Sequence, residues 1–352
     1  MSGATAWDTH QQGGGPYNDA PMVRDGELVD VPGYVTHAIT DDALDFLDRH
    51  GPAAAPFYLS VHYTAPHSPW TGHPQEIVDS YDDCAFESCP QESIHPWAVG
   101  HDLSESCLGN REMLKGYFAA VTAMDADVGR LLDKLEELNI ADNTYVFYTA
   151  DNGYESKRDF KNTVSQRGFY KAYPQRSHKY HVSEGGIRVP FIVRGPGIQA
   201  GSHSSSPVVG TDLFPTVLSL IGAAEGIPAR VEGADLSEHL KSDGQKAIAR
   251  KDPFLVFKFS KPRPPHDIAI VQQKHKLIKD LDTGESFLFN LKTDIGESKD
   301  LSKEKPELAR QLNKQMTEYF ARFGWDESKI NKRAKRFKKG SKLAPVPDNV
   351  SK

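Results

Sequence analysis

Apolar residues recur along this chain in two rhythms, and the rhythm changes about two-thirds of the way along it. Residues 38–50 (AITDDALDFLDRH) space their apolar positions for a helix, with Thr40 or Asp41 as the N-cap. Pro56-Phe-Tyr-Leu-Ser-Val-His-Tyr63 predicts a short strand that breaks into the loop Thr64-Ala-Pro-His-Ser-Pro-Trp70. From 71 to 110 the composition turns polar with scattered Pro, Gly and Cys, which predicts a long surface excursion of the kind that serves a site. Tyr117, Val121, Met124, Val128, Leu131, Leu135 and Leu138 then fall on one helical stripe. Asn143 leads into a strand at 144–149, and a polar, basic loop covers 154–178. Val189-Pro-Phe-Ile-Val193 predicts another buried strand, closed by Gly195-Pro-Gly197, and Asp212–Ile221 a helix with proline in its first turn.

Strands alternating with helices up to about residue 245 imply an α/β domain, with a largely parallel central sheet flanked by helices. Beyond that point the pattern differs. Phe254–Phe259, Ile268–Val271, Lys276–Ile278 and Ser286–Phe289 are short strands joined by turns such as Asp282-Thr-Gly284, and a helix runs from about 305 to 322. These predict a smaller C-terminal antiparallel sheet plus helix over 246–328, following an α/β domain over 1–245. Residues 329–352 carry nine Lys or Arg against one Asp, and read as a solvated, disordered tail.

Composition narrows the function classes. Hydrophobic content of 38% and charged content of 26% are those of a globular chain, and a net charge of −6 argues against nucleic acid as a partner. Cys84, Cys89 and Cys107 are odd in number and irregular in spacing, so they define no disulfide framework, although one bridge from Cys89 stays open. No second Cys pair or His pair stands at zinc-ligand spacing. No run of about 18 apolar residues exists to span a membrane, and the first 21 residues lack the apolar region of a signal peptide.

Candidate chemistry gathers in Thr149-Ala-Asp-Asn-Gly153 and Lys179-Tyr-His-Val-Ser-Glu-Gly-Gly-Ile-Arg-Val-Pro190. Asp151 and Asn152 stand at the carboxyl end of a predicted strand, where ligands of open α/β sheets collect. Their hard oxygens suit Ca²⁺ or Mg²⁺ better than zinc. A lysine and a turn of free amides beside such a cation suit an oxyanion. Each element also has an ordinary reading. Asn-Gly after a strand is a common turn, Lys179 a solvated loop lysine, Glu184-Gly185-Gly186 a plain turn, and Arg188 the partner of a surface acid. His67, at the end of the 56–63 strand, is either a loop histidine or a donor to an anion or leaving group.

In combination and in order, Tyr63-Thr-Ala-Pro-His67, Thr149–Gly153, His178–Pro190 and Asp212-Leu-Phe-Pro-Thr216 resemble the type I sulfatases of the alkaline-phosphatase superfamily. Ala119–Arg130 and Leu288–Leu301 are similar to that family too, so the resemblance covers about 20 to 325. It implies an alkaline-phosphatase-like fold and hydrolysis of a sulfate ester of a sugar or aryl compound, with a sulfated polysaccharide as a candidate substrate. Asp151 and Asn152 would be two of four protein ligands to Ca²⁺, with Mg²⁺ as the alternative. Asn rather than His after the Asp favours sulfatases over the phosphatase branch. Lys179 would bridge sulfate and nucleophile, and His67 would contact the sulfate and the leaving oxygen.

The family also carries an N-terminal Asp-Asp pair, a Cys-x-Pro-Ser-Arg whose Cys becomes the formylglycine nucleophile, and a Gly-Lys-x-His segment. This arrangement of motifs does not occur in the sequence, and Cys89-Pro90-Gln91 lacks the Ser-Arg continuation. The chain therefore reads as the C-terminal two-thirds of a sulfatase, with no nucleophile, no turnover, weakened Ca²⁺ affinity and a tendency to self-associate. The rival readings are a non-catalytic sulfated-glycan binder that uses the basic tail, and a phosphodiesterase or phosphonate hydrolase of the same superfamily. Family members are commonly periplasmic, secreted or lysosomal, and this sequence leaves localisation open.

Overall fold

A computed structural model of the chain describes residues 7–9, 17–24, 26–67, 70–84, 110–153, 179, 181–259, 267–281 and 283–325. The basic tail, the loop 154–178, Cys89, Cys107 and Asp282 lie outside the described residues. The chain divides into two compact units. One holds 1–173, 189–202 and 241–243, and the other 174–188, 203–240 and 244–352. The sequence pattern divides the chain into 1–245, 246–328 and the tail 329–352. Here 174–188 and 203–240 group with the C-terminal sheet.

The first unit begins with a small antiparallel sheet of β1 (Trp7–Thr9), β2 (Pro21–Arg24) and β3 (Glu27–Asp30). Helix α1 (Val35–His50) follows, starting before the expected Thr40 or Asp41 cap. Val35, Ile39, Ala43, Phe46 and Leu47 prolong the buried stripe toward the N-terminus. Thr40 lies inside the helix, where its hydroxyl donates to Thr36 O at 2.9 Å, so it caps nothing.

After the short α2 (Gln75–Asp79), α3 (Asn110–Glu137) packs on α1. Ala119, Ala120 and Ala123 are fully buried and permit a close approach. Asp127, also fully buried, ties the pair together by taking His37 Nδ1 at 2.7 Å and Arg130 Nη1 at 2.8 Å.

β4 (Val146–Thr149) pairs antiparallel with β5 (Phe191–Arg194), from Val146 opposite Arg194 to Thr149 opposite Phe191. The largely parallel central sheet does not emerge, since every ladder among the described residues is antiparallel. Residues 56–63 are not a strand by hydrogen bonding. Their side chains still alternate: Phe57, Leu59, Val61 and Tyr63 are half-buried, whereas Tyr58, Ser60 and His62 are exposed. Phe57 and Leu59 pack with Phe46, Leu47 and Leu135 of α1 and α3. Apolar periodicity reports which face is buried, and the helices satisfy it without a ladder partner.

In the second unit, α4 (Glu184–Ile187), α5 (Leu213–Leu220) and α6 (Ser237–Lys241, whose last residue groups with the first unit) precede the C-terminal sheet. That sheet comprises β6 (Leu255–Lys258), β7 (Asp267–Gln272), β8 (His275–Asp280) and β9 (Ser286–Asn290), antiparallel in that order. Helix α7 (Pro306–Arg322) lies on it, with Pro306 in its first turn. Ile268, Ile270, Leu277, Leu288, Leu312 and Met316 are all fully buried between sheet and helix. The predicted antiparallel sheet plus helix is what the chain forms.

Beneath α5, Asp212 is fully buried and fully used. Its carboxylate accepts Val209 N at 2.9 Å, Ala234 N at 2.8 Å and both Arg250 guanidinium nitrogens at 2.7 and 2.6 Å. Asp212 of the Asp-Leu-Phe-Pro-Thr motif is thus a framework carboxylate.

Candidate functional site

His67 sits in a loop held from several directions. Its N–H donates to Thr64 O at 2.9 Å, and its carbonyl accepts the Tyr17 hydroxyl at 2.7 Å. The Ala65–Pro66 peptide is cis, and Pro66 O accepts the Trp70 indole N–H at 2.9 Å. Trp70 is buried against α3 at Gly116, where a Cβ would stand only 2.0 Å from Trp70 O. Any side chain at 116 would push this loop away from the helix. The His67 ring is half-buried, while its backbone is fixed.

His73 supports that clamp. It is 6% exposed, its ring lies 4.6 Å from the Tyr17 ring, and its Nδ1 is 2.9 Å from the Tyr34 hydroxyl. Nε2 has no hydrogen-bond partner among the described residues. Burial disfavours an imidazolium there and pushes His73 down to about 4, so the ring is neutral at physiological pH. Burial also pushes the Tyr34 phenol up.

Asp151 and Asn152 follow β4 directly, at the strand end where the sequence places them. Asp151 is exposed and Asn152 half-buried, and no described residue makes a hydrogen bond or ion pair with either. A Ca²⁺ ion takes six to eight oxygen ligands. Among the described residues, no three His, Cys, Asp or Glu side chains cluster as a metal site requires. One carboxylate and one amide are thus an incomplete donor set for such an ion.

Lys179 belongs to the second unit and is half-buried. The turn after it differs from the sequence expectation of free amides. Glu184 N donates to Glu297 Oε2 at 2.9 Å, Gly186 N and Ile187 N to Ser183 O, and Arg188 N to Glu184 O at 2.8 Å. Arg188 pairs with Glu184, whose side chain is only 5% exposed, rather than with a surface acid. The second Glu184 oxygen accepts Lys276 Nζ at 2.8 Å, and Lys276 Nζ also lies 2.8 Å from Glu297 Oε1. Burial pushes the Glu297 carboxyl up, while Lys276 and the Glu184 N–H pull it down.

Sequence reading missed Lys276 and Glu297, which looked like a strand lysine and a loop acid. The local signal for Glu297 is its place in the family-like stretch Leu288–Leu301. Of the four candidates, His67, Asp151 and Asn152 belong to the first unit and Lys179 to the second.

Known proteins give this arrangement a context. A model described as Sulfatase matches residues 4–223, and one described as N-sulphoglucosamine sulphohydrolase, C-terminal, matches 175–322. N-acetylglucosamine-6-sulfatase of Homo sapiens is 30% identical over 197 residues, 54% of this chain and 33% of the relative. An ulvan-active sulfatase of Formosa agariphila is 30% identical over 216 residues, 61% of this chain and 37% of the relative. The chain thus spans about a third of the length of the curated relatives it matches. A structure solved in complex with its substrate D-glucosamine-2-N,6-O-disulfate superposes with a TM-score of 0.70 at 22% identity, covering 93% of this chain and 75% of that one. That likeness establishes the alkaline-phosphatase-like fold of the sulfatases. With the family model matched across more than half of the sequence, this chain belongs to the sulfatase family.

Proposed function

We propose that this chain carries part of the site of a sulfuric ester hydrolase that acts on a sulfated sugar. The observation that carries the reading is the bare Asp151-Asn152 pair at the end of β4, in a chain of the sulfatase family whose His67 loop is clamped. In this reading His67 donates to the sulfate and its leaving oxygen, and Lys179 neutralises the sulfate. Asp151 and Asn152 would contribute two oxygens to a divalent cation, Ca²⁺ by family resemblance. Sulfated amino sugars are favoured as substrates, because the human relative is named for one and a superposed structure holds one.

The sequence contains no Cys-x-Pro-Ser-Arg to furnish the nucleophile, so binding without turnover is expected of this polypeptide. Titration calorimetry with glucosamine 6-sulfate and with glucosamine tests the reading. Binding of the sulfated sugar alone, weakened by Lys179→Ala, is the expected result. Equal affinity for the two sugars, or turnover that survives both His67→Ala and Lys179→Ala, would overturn it.

A further inference from the structure

The segment that follows Lys179 is stitched to the C-terminal sheet through buried polar and charged side chains. His181 Nδ1 lies 3.6 Å from Asp267 Oδ2 at the start of β7. Glu184 is bound by Lys276 of β8, and its N–H by Glu297 from the turn after β9. Lys276 and Glu297 are completely buried, and the Glu184 side chain is 5% exposed. Removing the Lys276, Glu184 and Glu297 charges from water carries a desolvation penalty, so a buried cluster is a poor device for stability alone.

The backbone at Glu297 sharpens the point. Its φ is +52°, in the left-handed region that favours glycine or asparagine. A residue chosen only to make this turn would be glycine, which enters that region without steric cost. Instead the position holds a carboxylate that reaches both Lys276 and the Glu184 N–H. Strain kept alongside a buried charge marks a position whose side chain is required.

We infer that Glu297, with Lys276 and Glu184, is a positioning residue that sets the C-terminal sheet as the platform for the 181–188 segment and thereby fixes Lys179. This rests on the reading of Lys179 as a sulfate ligand. In it, the C-terminal sheet contributes to the site by orienting one of its cations.

The test uses the full chain and two readouts. Reductive ¹³C-methylation gives each accessible lysine an NMR signal, and Lys179→Arg assigns that of Lys179. Glu297→Gly relieves the backbone while deleting the carboxylate. Measured well below its melting temperature, this variant is expected to show a displaced Lys179 signal and about tenfold weaker binding of glucosamine 6-sulfate. If Glu297→Gly does not fold, the isosteric Glu297→Gln takes its place, with a smaller displacement expected. An unchanged Lys179 signal in a variant that has lost only thermal stability would overturn the inference and leave a structural ion cluster. If the parent chain binds no sugar sulfate, the functional reading fails, and the Lys179 signal alone decides whether Glu297 positions it.

Discussion

The C-terminal sheet and the β4–β5 region are both written in apolar residues, yet only the first is closed. β7 and β8 bury Ile268, Ile270 and Leu277 completely, and α7 covers them with Leu312 and Met316. β5 leaves Ile192 62% exposed, and the strand-like run 56–63 leaves Tyr58 74% exposed with no ladder partner among the described residues. Alternation decides which side chains face inward. It does not supply the neighbouring strand or the covering helix, and those decide whether burial is complete.

The largest effect expected from this contrast is in the closed region. Leu312→Ala removes a fully buried side chain from beneath the sheet and should cost about 3 kcal/mol, read as a lower midpoint in chemical denaturation. A loss below about 1 kcal/mol would show that the α7 core is loosely packed.

The next effect is a pH dependence in the first unit. His73 is held down to about 4 from an ordinary 6.5, so the unfolded chain takes up a proton that the folded chain refuses. Its contribution is therefore complete above pH 6.5 and is lost as the pH falls toward 4, on the order of 3 kcal/mol in all. Melting temperatures of the parent should fall more steeply over that window than those of His73→Phe. Parallel curves would show that the ring is not desolvated.

The smallest effect on stability belongs to the open region. Ile192→Ser, at an exposed site, should change stability by less than about 0.5 kcal/mol yet reduce self-association in sedimentation velocity. An unchanged sedimentation profile would mean that this face does not drive association.

Much of the fold was legible because periodicity is local. The strands and helix of the C-terminal sheet, the stripe of α3 and the strand ahead of Asp151 all follow from it. What failed depends on partners remote in sequence. The 56–63 run has a strand's alternation, but α1 and α3 satisfy its inner face without a ladder. Thr40 has an N-cap's chemistry, but the stripe continues past it to Val35. The turn at 183–188 reads as a nest of amides, but the N–H groups of Glu184, Gly186, Ile187 and Arg188 are already taken, the first by a carboxylate 113 residues away. Lys276 and Glu297 are charged residues at zero exposure, and no hydropathy pattern marks such positions.

The functional reading assigns sulfate contacts to the His67 loop and to the Lys179 segment. Hydrogen exchange of the full chain, with and without saturating glucosamine 6-sulfate, tests that directly. Slowed exchange at 64–67 and at 181–188 with the sulfated sugar, and at neither segment with glucosamine, is the predicted result. Protection by both sugars alike, or by neither, would contradict it.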